Sequence, residues 1–138
     1  MKRFSSVLLV GALLVGAARG AEYKFIVHPG TAVAALSREE AKSMLLGNQG
    51  RWDNGTAIKL AILAGGPVHE SVITEITART PDQFDKYWKK QVFTGKGVMP
   101  EIMPDDAAMV AYVARTPGAF GYVSAAAKTE GVKVVPVQ

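Results

Sequence analysis

The chain has 138 residues, 49% of them hydrophobic, with 16 Lys and Arg against 12 Asp and Glu and no cysteine. That length predicts one domain able to bury a core by packing alone, and the lack of cysteine excludes disulfide and thiolate chemistry. The pI of about 9.4 is no nucleic-acid signal: without Lys2, Arg3 and Arg19, which fall in an expected export segment, 13 basic residues face 12 acidic ones, and no basic cluster is interleaved with aromatics.

That segment comes first along the chain. Lys2 and Arg3 precede "SSVLLVGALLVGA", an apolar run too short for an ordinary membrane span. Ala18 and Gly20 then stand where a signal peptidase reads small residues, so cleavage is expected after Gly20. Residues 1–20 are read as a signal peptide and 21–138 as a single periplasmic domain.

"YKFIVHP" (23–29) is rich in β-branched and aromatic residues and stops at Pro29-Gly30, the pattern of a strand. Ser37 and Glu40 form a capping-box pair opening a helix with Ala41, Met44 and Leu45 on one face, ending near Gly47. "RWDNGT" (51–56) is a turn, and "AIKLAILA" (57–64) is a strand apolar enough to be covered on both faces. Pro67 suits a first helical position, followed by Val68, Val72, Ile73 and Ile76 at helical spacing. Thr80, Pro81 and Gln83 announce another helix, with Phe84, Tyr87, Trp88 and Val92 on one side. "FTGKGVMPEIMP" (93–104) reads as a Gly/Pro-punctuated loop. Asp105 and Asp106 suit the positive end of a helix carrying Met109, Val110 and Val113, which Pro117-Gly118 stops. "AFGYV" and "VKVVPV" supply two closing strands. Strands and helices alternate, so the expected class is α/β, a mixed and mostly parallel sheet flanked by helices.

The candidate site lies in "LAGGPVHES" (63–71). Gly65 and Gly66 leave backbone N–H groups free at a helix start, a natural anion site, with the Ser71 hydroxyl and the His69 imidazole nearby as hydroxyl donor and switchable cation. The plainer alternative is a strand-to-helix connection with His69 facing solvent. His69, Glu70 and Ser71 diverge too far around a helix to assemble a catalytic triad. No Gly-x-Ser-x-Gly elbow occurs, so no enzyme is expected. His28 and His69 fall in separate segments, so no metal site or cofactor is expected. "TGKG" (94–97) lacks the phosphate-loop pattern, and Trp52, Tyr87 and Trp88 are expected to pack in the core.

Three stretches together resemble one family: "LSREEAKSMLLGNQGRWDNGTAIKLAIL", "FDKYWKKQVFTGKG" and "MVAYVARTPGAFGYV". They look like the second lobe of type-two periplasmic solute-binding proteins, in particular the phosphate-binding group serving ABC transporters. The resemblance spans residues 25–137 and implies a lobe of that fold, periplasmic placement, a phosphate-like ligand and a membrane permease as partner. Typical members have two lobes, and their strand matching "AIKLAILA" runs into an Arg and a Ser-Gly-Thr turn; here it runs into "LAGGPVHES". Two functions are therefore expected. One is capture of phosphate or a related oxyanion for transport. The other is an interaction or sensory adaptor whose lobe pairs with another protein or with itself as a homodimer, with no small ligand.

Overall fold

The computed structural model describes residues 20–138, so the expected signal peptide lies outside the described residues apart from Gly20. Five strands and four helices follow in the order β1 (Tyr23–Val27), α1 (Arg38–Leu45), β2 (Lys59–Leu63), α2 (Pro67–Thr77), α3 (Pro81–Phe93), β3 (Glu101–Met103), α4 (Asp106–Arg115), β4 (Ala119–Ser124) and β5 (Lys133–Val135).

Local chemistry explains most of these boundaries. Ser37 and Glu40 close a full capping box at α1, and Thr80 and Gln83 close another at α3. Asp105 caps α4 by accepting from the Ala108 amide at 2.9 Å. Each such cap satisfies N–H groups that no helical carbonyl can reach and stabilises its helix by about 1 kcal/mol.

The strands form one sheet in the order β3-β2-β4-β1-β5. β2 runs parallel to both β3 and β4, whereas β1 runs antiparallel to β4 and β5. The carboxyl ends of β2, β3 and β4 consequently share one edge of the sheet. The short β3 lies within the stretch expected to be a loop. Its backbone pairs with Ala61, Ile62 and Leu63 of β2, and Ile102 stays half exposed. Three residues between Pro100 and Pro104 are too few to show strand alternation.

Helices cover both faces of the sheet. On one, Phe25 stacks on Phe120 with ring centroids 5.4 Å apart, and Tyr122 continues that surface toward α2. On the other, Met109 of α4 presses on Gly121; a Cβ there would stand 2.6 Å from the Met109 sulfur, so only glycine admits the helix this closely. Trp52 and Trp88 are buried, their indole N–H groups donating to the carbonyls of Gly118 and Leu45, and the half-buried Tyr87 donates to Leu46. These aromatics therefore serve packing, as the sequence suggests. Val92 departs from expectation: it lies on the outer side of α3, 41% exposed.

Candidate functional site

In open α/β sheets ligands gather at the carboxyl ends of parallel strands, where helix N-termini converge. Here two helices begin at that edge, α2 after β2 and α4 after β3.

The start of α4 is closed by its own side chains. Besides the Asp105 cap, Asp106 accepts from the Ser124 hydroxyl at 2.7 Å and from the Ser124 amide at 3.3 Å. Carboxylates thus fill the positive end of this helix.

The start of α2 is open. Its N-cap is Gly66, held at φ 96°, ψ 175°, and no side chain among the described residues caps it. That backbone conformation is essentially restricted to glycine. Pro67 at the first helical position has no N–H to satisfy. The amides of Gly65, Gly66, Val68 and His69 have no hydrogen-bond partner among the described residues. Gly65 and Gly66 are exposed, with open space where a Cβ would stand.

The structure separates the two remaining candidates. Ser71 is turned away from the glycines and accepts a hydrogen bond from the Ala21 amide at 3.0 Å. One turn further on, Glu75 accepts from the Tyr23 hydroxyl at 2.7 Å. This side of α2 anchors the beginning of the described chain, which is the role the structure gives the Ser71 hydroxyl.

His69 is neither solvent-facing nor a ready cation. It is 7% exposed, its ring stacked on Tyr122 and edge-on to Phe84. Burial pushes its pKa below the usual imidazole value, against a smaller opposing effect of Glu70. The Tyr122 hydroxyl accepts from the Leu63 amide at 3.2 Å and lies 2.6 Å from His69 Nδ1. Its own hydrogen is then best placed on Nδ1, which assigns the ring hydrogen to Nε2. Burial also pushes the Tyr122 hydroxyl far above its usual pKa, so it remains a donor. Sequence spacing puts Tyr122 in a core strand but gives no sign that its hydroxyl fixes a histidine 53 residues away.

A cleft of about 380 Å³ opens beside this helix start. Gly65 and His69 border it, and Ile62, Phe84, Trp88, Met99 and Ile102 give it apolar walls. Glu70, Asp82 and Asp85 line its exposed side. Asp82 pairs with Lys86 and Asp85 with Lys89 along the surface of α3. No lysine or arginine is among the described residues lining the cleft.

Comparison with solved structures places this architecture. A Clostridium perfringens protein assigned as a phosphate ABC transporter substrate-binding protein, solved with bound phosphate, matches with a TM-score of 0.68 at 17% identity. The match covers 86% of this chain and 46% of that one. The fold is that of one lobe of such structures. PstS of Borrelia burgdorferi matches this lobe with a TM-score of 0.68 at 13% identity over 87% of this chain and 48% of its own. An ABC-type phosphate transport receptor of Vibrio cholerae gives 0.60 at 14% identity, covering 86% and 47%. The chain thus spans about half the length of the structures it matches. At these identities the likeness establishes the fold of the lobe. No family model and no curated protein sequence matches the chain.

Proposed function

We propose that the protein is an exported, periplasmic solute-binding lobe that captures a small oxyanion, phosphate or a related species, and serves an ABC-type transporter through its membrane permease. The observation that carries this reading is the open start of α2, at the sheet edge where ligands of such folds gather. The Gly65, Gly66, Val68 and His69 amides supply the donors, and the helix dipole favours the negative charge. The phosphate-transport assignments of the structural neighbours support the ligand class and the transport role. The lysine-led apolar segment before Gly20 supports export. Binding is reversible and needs no covalent step, which fits a carrier and not an enzyme.

A second reading has its own support. Phe93 and Val98 are 91% and 85% exposed, close in sequence to the half-exposed Ile102, an apolar stretch suited to contact with another protein or a second copy.

Calorimetric titration of the purified protein with phosphate, with sulfate as competitor, separates the two. A Kd near about 1 mM corresponds to about 4 kcal/mol, more than the about 0.3–1 kcal/mol one helix end contributes toward an exposed charge. The converging amides, at about 1.5–3 kcal/mol for each bond to a charged group, supply the rest, and saturable millimolar binding is the expected result. Gly66→Ala should abolish it, by straining the turn that presents those amides. Absence of heat at several times that concentration would refute the oxyanion reading and leave the adaptor.

A further inference from the structure

The cleft beside α2 holds a polar group that the fold does not use. With Nδ1 of His69 engaged by Tyr122, the Nε2–H on the far side of the ring has no partner among the described residues, although His69 is more than nine-tenths buried. No buried side-chain nitrogen or oxygen is left unsatisfied among the described residues, so Nε2 keeps contact with solvent. His69 lines the cleft, which gives that solvent its place. A neutral imidazole donor, fixed in orientation by Tyr122 and set between apolar walls, is a feature expected of a ligand site. It stands within one helical turn of the free Gly66 and Val68 amides.

We propose that the ligand of this site is a small carboxylate with an apolar body, its carboxylate held by the α2 amides and His69 Nε2–H and its hydrocarbon part lying in the cleft between Phe84, Trp88, Met99 and Ile102. The proposal rests on the oxyanion reading and names its ligand class. Three features select this chemistry over a compact inorganic anion. The walls are predominantly apolar, and about 380 Å³ is room for far more than four oxygens. No lysine or arginine lines the cleft to neutralise a second negative charge. Glu70 lines it without an ion-pair partner among the described residues, so a dianion is repelled where a monoanion on the amides is tolerated.

The test is a titration of the purified protein with acetate, butanoate, hexanoate and hexanamide, alongside inorganic phosphate. Affinity should rise about fourfold for each added methylene from acetate to hexanoate, with hexanoate tighter than phosphate and hexanamide at least tenfold weaker than hexanoate. Ile102→Thr, at a half-exposed position that keeps a β-branched residue, should flatten the chain-length series and leave acetate unchanged. Saturable phosphate binding with no gain from acetate to hexanoate would overturn the apolar-carboxylate proposal while the oxyanion reading stands. Hexanamide binding as well as hexanoate would overturn the carboxylate head group and point to plain apolar docking. If neither phosphate nor any carboxylate binds, both readings fall together.

Discussion

The two helices that start at the carboxyl edge of the sheet, α2 and α4, meet the same electrostatic situation and resolve it in opposite ways. α4 satisfies its positive end internally, through Asp105 on the Ala108 amide and Asp106 on Ser124. α2 offers Gly66, Pro67 and uncapped amides beside a cleft. A helix start that needs only stability uses a side-chain cap, as α1, α3 and α4 do. With glycine as the N-cap, leaving one start open forgoes only about a few tenths of a kcal/mol and keeps its N–H groups available to something else.

Substitutions can break this contrast from either side. The largest effect is expected from Asp106→Ala, which strips the Ser124 amide and hydroxyl of their acceptor. Urea unfolding should show a loss of about 2–3 kcal/mol, since charge-assisted bonds are worth more than neutral ones, with anion binding at α2 unchanged. Gly66→Ala should cost about 1–3 kcal/mol through its φ of 96° and should also remove anion binding, a pairing that no α4 substitution produces. Asp105→Ala should cost about 1 kcal/mol and leave the ligand site intact. A smaller effect comes from pH. Burial lowers the pKa of His69 in the folded protein, so the unfolded chain takes up a proton more readily. The resulting stability is fully present above about pH 6.5 and is lost as pH falls from there through the folded-state value. Unfolding midpoints measured between pH 5 and 8 should show this slope, and His69→Gln should flatten it.

What the sequence makes legible follows the range of each interaction. The caps of α1 and α3 are readable because donor and acceptor lie three residues apart, Ser37 with Glu40 and Thr80 with Gln83. At α4 the sequence shows acidic residues at the helix start, and the structure adds that Asp105 caps Ala108. The glycine turn before α2 is readable from its adjacent residues, Gly65, Gly66 and Pro67. The resemblance to solute-binding proteins anticipates the lobe, although the matched structures share only 13–17% identity with it. Long-range contacts stay hidden. Nothing near Ser71 indicates that its hydroxyl meets Ala21, 50 residues earlier. Nothing near His69 indicates Tyr122, and without that partner the residue looks like an exposed first-turn histidine able to charge. The partnership makes it a buried neutral donor. β3 escapes for a related reason: Glu101–Met103 becomes a strand by pairing with β2, which its three residues do not reveal.

The most direct test of an open α2 start is an amide-resolved NMR titration of the isotopically labelled protein with phosphate and, separately, with hexanoate. Saturating shifts are expected at Gly65, Gly66, Val68 and His69, with Asp106, Ala107 and Ala108 at the closed start of α4 unmoved. Equal shifts at both helix starts, or none at α2 when the anion is in large excess, would contradict it.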